Sequence, residues 1–399
     1  MLKVIFAGVT GLKKIDFLIR PLAELFAEKL GLPKELENVK TREKIRIFDV
    51  EKEIVDVSRS QDIIHFLEII DIERKQEIWE KAFSKIIDEI KDMEEKEGEV
   101  AFISMHFMYY RGVPFSLVDT RLLETLKPDV IITLDDDCYH RWEWIRRREA
   151  ERPAATYLRL KEVLFWSVVE KTIVDMIARK LNIDSILMAI KHPIKTFYEL
   201  LSSKKPIIYF SHPMSSVYEA PDEERRKMFN EINDFKRKIG EKAVILEPAT
   251  IDDRAIIRAF KKKDKDKVVI EKPDRWPLST DKGPYPITLR VDEVEELLVR
   301  DKYNKTLIDH YIRLRDYSYI DKCDALIAYR PTYRGGSLGM SEEARYARTK
   351  GKPCWGIIPP QDPELKGHPL EAHIAPVSMD ELIKCLDKLE RKSLRIYTK

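Results

Sequence analysis

The sequence predicts an α/β protein built from two Rossmann-like parallel-sheet domains in succession along 399 residues. Three observations carry that prediction. Short apolar strands alternate with charged segments of helical periodicity, the pattern of helices covering a parallel sheet. The pattern breaks at Ser202-Ser203-Lys204-Lys205-Pro206 and restarts with Ile207-Ile208-Tyr209-Phe210. At about 150 residues per domain the chain has room for two or three cores, none of which needs a disulfide or metal. The boundaries so read are 1–200 and 205–399.

Composition narrows the function classes. Hydrophobic residues make up 44% and charged residues 36%, which argues against disorder. No run of about 18 apolar residues occurs, and the N-terminus lacks the long apolar stretch of a signal peptide. A cytoplasmic protein is expected. Lys+Arg of 72 against Asp+Glu of 70 gives a net charge of +2, no footprint for a nucleic-acid polymer or an anionic membrane. Cys138, Cys323, Cys354 and Cys385 are scattered without C-x-x-C spacing, and the eight histidines show no metal-ligand spacing. Only three Gln and five Asn stand among abundant Lys, Glu and Arg, the bias of a thermophile protein.

In the first half, Val4-Ile5-Phe6-Ala7 is the opening strand and a helix follows from about residue 15 to 29. Further strands are expected at 45–50, 100–104 and 130–134. The charged stretch 61–94 carries Trp79, Phe83, Ile86 and Ile87 at helical spacing and reads as a pair of solvated helices. Between the first strand and its helix lies Gly8-Val9-Thr10-Gly11-Leu12-Lys13-Lys14, the right context for a phosphate-binding loop. Lys13 stands where a final glycine belongs, and Ile15 replaces the hydroxyl residue that would hold Mg²⁺. Asp135, Asp136 and Asp137 end a strand, where they would serve a metal or cap the next helix. His106 and His212 each follow a strand, and both read as structural. The aromatic run 106–111 would stack on a nucleobase or pack in the core.

The second half opens with the strand Ile207-Ile208-Tyr209-Phe210. Its next helix has Asp222 as a cap, Met228, Ile232, Phe235 and Ile239 on one face, and Gly240 at its end. Strands at 243–246, 325–329 and 354–358 follow, then a last helix near 379–390. The Lys-, Asp- and Pro-rich segment 261–286 reads as a surface insertion. The chemistry concentrates where the strand ending at Tyr329 leads through Gly335-Gly336-Ser337-Leu338-Gly339 into a helix that starts near Gly339. Open α/β sheets bind ligands at the carboxyl ends of their strands, and a glycine loop at a helix N-terminus suits a phosphate or carboxylate. Glu342 and Glu343 fall in the expected first turn, where acids would face the pocket or merely complement the helix dipole.

Three ordered motifs over 206–359 add a resemblance. The opening strand with Tyr209, the Gly335–Gly339 loop with Glu342-Glu343-Ala344, and Gly351-Lys352-Pro353 before another strand are similar to the nucleoside 2-deoxyribosyltransferase family and its nucleotide N-hydrolase relatives. The loop also resembles the signature of phosphoribohydrolases that release cytokinin-type bases. The resemblance implies a flavodoxin-like second domain, and Glu343 as a nucleophile toward C1′ of the sugar, with Glu342 its rival. It implies Tyr209 as the hydroxyl that holds that carboxylate, and Asp316 as the acid that handles the proton of the leaving base. Gly336, Ser337, Leu338 and Gly339 would bind a substrate 5′-phosphate, so a nucleoside monophosphate is favoured over a free nucleoside. No cofactor is implied, and a homodimer is. Two departures are Ser337 where free-nucleoside enzymes carry an acid, and His212-Pro213-Met214 in place of a small glycine-rich turn.

The first half is diffusely similar to adenylate-kinase-like nucleotide kinases. Its loop (Gly8, Gly11, Lys14), the strand over 127–135 and the arginine-rich 141–152, which resembles a lid helix, carry that likeness. The damaged loop makes this a degenerate nucleotide-binding module. Two other readings stay open on the residues alone: a nucleotide sensor without turnover, in which Glu343 only caps its helix, and a kinase working from Lys14.

Overall fold

The computed structural model describes residues 1–9, 12–33, 39–69, 71–149, 158–264, 266–271, 285–331, 338–358, 370 and 372–394. The first sheet takes β1 (Leu2–Ala7), β2 (Ile45–Asp49) and β3 (Val100–Ser104). After the small hairpin of β4 (Tyr109–Arg111) and β5 (Val113–Phe115) it takes β6 (Val130–Asp135) and β7 (Asp184–Ala189). Its order is β2-β3-β1-β6-β7, and every neighbouring pair is parallel. The second sheet takes β8 (Ile207–Ser211) and β9 (Val244–Leu246). Beyond the hairpin of β10 (Lys267–Ile270) and β11 (Ile287–Arg290) come β12 (Ala325–Tyr329), β13 (Cys354–Ile357) and β14 (Ala375–Pro376). This sheet is also parallel, in the order β14-β13-β12-β8-β9. The α/β architecture of two parallel sheets is therefore as expected.

Each central strand is buried on both faces, which explains the unbroken apolar runs: Val4 through Ala7, Val130 through Ile132 and Ile207 through Phe210 have almost no exposed surface. The charged stretch folds as two helices, Ile63–Ile69 and Ile72–Glu95, with Trp79, Phe83, Ile86 and Ile87 facing inward. One apolar cluster runs from the first sheet, through Leu134 and Leu187, to Tyr209, Tyr319 and Leu326 of the second. The polar side chains that cross between the sheets are consequently buried too.

Two expectations are corrected, and of the two alternatives open for the aromatic run the structure takes the core. The insertion 261–286 is not wholly a surface loop: β10 pairs antiparallel with β11, and Val268, Ile270, Ile287 and Leu289 are buried by their two-residue alternation. Residues 272–284 lie outside the described residues. Asp222 is the first residue of the helix Asp222–Gly240 and Pro221 occupies the cap position, so its carboxylate complements the dipole without capping. The aromatic run is core, since Phe107, Met108 and Tyr109 are all but inaccessible. No helix among the described residues is long and apolar enough to cross a membrane.

Candidate active site

The central strands β8 and β12 run parallel, and their carboxyl ends open onto a cleft of about 460 Å³. Its walls include His212, Asp253, Arg254, Asp316, Leu338 and Glu343. The helix Leu338–Thr349 supplies Glu343, and the helix Leu307–Lys322 supplies Asp316. The first begins at Leu338, so Glu342 and Glu343 fall in its second turn and the expectation of first-turn acids is corrected. Dipole complementation fades beyond the first turn and gives little reason for acids there. Gly351, with φ +69°, closes the helix and turns the chain into β13.

Glu343 and Glu342 have different surroundings. The Ser211 hydroxyl, at the end of β8, donates to Glu343 Oε2 at 2.5 Å. The buried Tyr209 hydroxyl lies beside the same carboxylate but has no hydrogen-bond partner of good geometry among the described residues. Burial first, and the neighbouring Asp316 second, push the Glu343 carboxyl up to about 8. Glu342 is turned to Arg313, whose Nη2 donates to its Oε2 at 2.6 Å. Of the two acids, Glu343 alone joins the Ser211–Tyr209–Asp316 group.

Asp316 is buried, and burial pushes its carboxyl up to about 6 against the pull of Arg315. Between about 6 and about 8 the Asp316–Glu343 pair therefore carries one proton. Arg315 reaches Asp316 Oδ1 from Nε at 3.5 Å, but its Nη1 donates to Asp253 Oδ2 at the shorter 2.9 Å. Arginines line the cleft on the side of Asp253 as well: Arg254 lies 3.5 Å from Asp309, and Arg258 pairs with Asp252. Leu338 and Gly339 start their helix at the cleft and are exposed. Gly336 and Ser337 lie outside the described residues.

Sequence reasoning missed two partners on this wall. His212 holds Glu247 through Nε2 at 3.3 Å, while Lys236 Nζ donates to the other oxygen of that carboxylate at 2.7 Å. Lys236 and His212 hold Glu247 down to about 2 despite its burial. The register explains the contact, since Tyr209 pairs with Leu246 and leaves His212 beside Glu247 at adjacent strand ends. The other partner, Asp253, is 62 residues from Arg315 in sequence and gives no local signal.

The N-terminal loop is engaged within the protein. Gly8 has φ +130°, and a Cβ there would sit 2.6 Å from the Leu134 carbonyl oxygen, so glycine is required. Its N–H, with those of Phe107 and Met108, donates to the Glu170 carboxylate. A side-chain carboxylate thus takes the amide that a phosphate would need. Lys14 is buried and donates to the carbonyls of Gly8 (3.2 Å) and Met105 (2.7 Å), and burial lowers its proton affinity. Lys13 adopts φ +44° and lays its ammonium 3.9 Å from the centre of the Trp144 ring. Gly11 lies outside the described residues.

Asp136, Asp137 and His140 bring three ligand atoms together, but Lys191 already lies 2.9 Å from Asp136 and pairs with Asp137. An ammonium thus stands where a metal ion would. Asp135 instead holds Arg141 at 3.0 Å and accepts from the Tyr311 hydroxyl at 2.6 Å. Asp137 immediately precedes the following helix, Cys138–Glu149, and its Oδ2 accepts from the Tyr139 hydroxyl at 2.8 Å. The lid-helix likeness of 141–152 also meets a correction. Arg141 is fully buried, and Arg146 and Arg147 both close on Glu143, so these guanidinium groups are engaged within the protein. Residues 150–157 lie outside the described residues. No protein-family model matches the chain, and no curated protein matches its sequence.

Proposed function

We propose that the chain cleaves the N-glycosidic bond of a nucleoside 5′-monophosphate, with Glu343 as nucleophile. The observation that carries this reading is the placement of the Glu343 and Asp316 carboxyl groups on one cleft at the strand ends, with the Ser211 hydroxyl on Glu343 and the Tyr209 hydroxyl beside it. Two buried carboxyl groups with divided protonation are what a double-displacement cleavage of a glycosidic bond uses. The cleft volume falls within the range of small-molecule sites.

The steps follow from those groups. Of the pair Glu343 binds its proton more tightly, about 8 against about 6 for Asp316. The reactive arrangement is therefore the one in which that proton has passed to Asp316, with the Ser211 and Tyr209 hydroxyls favouring the ionised Glu343 left behind. A Glu343 oxygen forms a bond to C1′ as the C1′–N bond breaks. The electron pair departs on the nucleobase nitrogen, and the Asp316 proton neutralises it there. Asp316, now a carboxylate, takes a proton from water as the water oxygen attacks C1′ and Glu343 leaves as carboxylate. The products are free base and sugar 5-phosphate, and an acceptor base in place of water gives transfer. Backbone N–H groups at the start of the Leu338 helix suit the substrate phosphate.

The test is chromatographic. The protein is incubated warm with ribo- and deoxyribonucleoside monophosphates, with and without an acceptor base. The reading expects free base from at least one of them and loss of that release in Glu343→Gln. No release from any member of the panel contradicts it.

A further inference from the structure

The interface between the two sheets ends on the catalytic pair, and the chain of contacts can be followed atom by atom. At the junction of β6 and the Cys138–Glu149 helix, the Cys138 N–H donates to Asp253 Oδ1 at 2.8 Å. One residue earlier, Asp137 Oδ1 accepts from the Asp252 N–H at 2.5 Å. The loop carrying Asp252 and Asp253 is thus fixed by the N-terminal half from both sides of one turn. Asp253 is wholly buried, and its second oxygen receives Arg315 Nη1 at 2.9 Å. Arg315 also donates from Nη2 to the Ile251 carbonyl at 3.5 Å, on the same loop. Only its Nε faces Asp316, at 3.5 Å.

We propose that Asp253, anchored by the amide of Cys138, is a positioning residue that draws Arg315 toward itself and so keeps it from closing onto Asp316. This rests on the reading of Asp316 as the proton donor, and it gives the N-terminal half a task in that reading. A guanidinium in full bidentate contact would strip Asp316 of its proton, because a close opposite charge favours the carboxylate. With Asp253 taking the better hydrogen bond, Asp316 feels a weaker cation and retains the proton that the leaving base needs. The other charged or titratable groups around Asp316, among the described residues, are Arg254 beside Asp253, Tyr319 on its own helix, Glu343 from the Leu338 helix and Tyr209 from β8. None of these changes when Asp253 is replaced.

The experiment compares pH profiles of kcat for the full chain and two variants expected to shift in opposite directions. Asp253→Asn preserves an acceptor for the Cys138 amide but loses the carboxylate, which frees Arg315 for Asp316. The acidic limb, set mainly by Asp316, should then move toward acid by about one pH unit, with roughly tenfold less activity at neutral pH as the proton is found on Asp316 less often, and KM little changed. Arg315→Gln should move the same limb toward base. Tyr311→Phe removes another contact between the halves, to Asp135, and should leave the limb in place. Should Asp253→Asn not fold, Arg315→Gln carries the test with the opposite sign. The Asp316 carboxyl carbon is also titrated by ¹³C NMR, assigned by its loss in Asp316→Asn, which needs no turnover. Absence of base release in the wild type would defeat the glycosidic reading, while the positioning claim would be judged on the NMR titration. A limb and a carboxyl titration that do not respond to either substitution would overturn it.

Discussion

Ser211 and Glu343 meet across the carboxyl end of the second sheet, the serine hydroxyl donating to Glu343 Oε2 at 2.5 Å. The contact joins a strand terminus to a helix 132 residues further along the chain. It also separates two adjacent acids: Glu343 faces hydroxyls and Asp316, whereas Glu342 faces Arg313. A carboxylate serving only its own helix would bond to free N–H groups of the first turn, and Glu343 does neither.

That difference predicts unequal effects for two neighbouring substitutions. Glu343→Gln should lower base release by at least about a thousandfold, the scale of losing a covalent nucleophile. Glu342→Gln should stay within about tenfold, since the Arg313–Glu342 pair is partly exposed and worth roughly 1 kcal/mol or less. Steady-state rates of base release decide it, and equal losses would contradict the assignment.

Stability should depend on pH through the same pair. Both folded carboxyl groups bind their proton more tightly than unfolded ones, so their contribution is complete below about pH 4. It is lost as pH rises through about 6 for Asp316 and about 8 for Glu343. Denaturant unfolding at pH 5, 7 and 9 should show Glu343→Gln gaining on the wild type toward high pH. The gain should be roughly 4 kcal/mol, at about 1.4 kcal/mol per tenfold change in proton affinity. A difference that stays flat from pH 5 to 9 would show that Glu343 titrates normally.

Much of this arrangement was legible in the sequence because it is local. Uninterrupted apolar strands, the helix that follows the glycine-rich stretch, and Gly351 after it are patterns of neighbouring residues. The helix start was misread by one residue, enough to move Glu342 and Glu343 from the first turn to the second. The β10–β11 hairpin was hidden by its lysines, although Val268 and Ile270 alternate as strand residues do. Asp253, Arg315 and Cys138 were beyond reach, since their contacts span 62 and 115 residues and depend on how the sheets dock. In the Gly8–Lys14 segment the sequence itself shows the departures from a phosphate-binding loop, Lys13 and the Ile15 that follows. That Glu170 would occupy its amide could not be read from residues 162 positions away.

Lys14 should behave as a structural residue. Lys14→Met removes the ammonium that bridges Gly8 and Met105 and faces the buried carboxylate of Glu170 and the partly exposed one of Glu51. Thermal unfolding should drop by the equivalent of about 3 kcal/mol, the scale of breaking a buried ion pair, with base release per folded molecule unchanged. Phosphoryl transfer from ATP that disappears in Lys14→Met without loss of stability would favour a kinase.

The acids around Lys191 should be indifferent to metals. With the ammonium seated between Asp136 and Asp137, added Mg²⁺, Mn²⁺ or Zn²⁺, or excess EDTA, should leave the unfolding temperature of the wild type where it is. Lys191→Met should unfold at lower temperature and become sensitive to those ions. A metal-dependent rise in the wild type would mean that the lysine yields to a cation.

The central claim is covalent chemistry at Glu343, and rapid quenching followed by mass spectrometry of the peptide that carries it tests this most directly. With a monophosphate substrate turning over, the account predicts a sugar-phosphate adduct on Glu343 that forms as base is released and decays with turnover. Base release with no adduct at Glu343 under any quench time, or an adduct on Glu342, would contradict it.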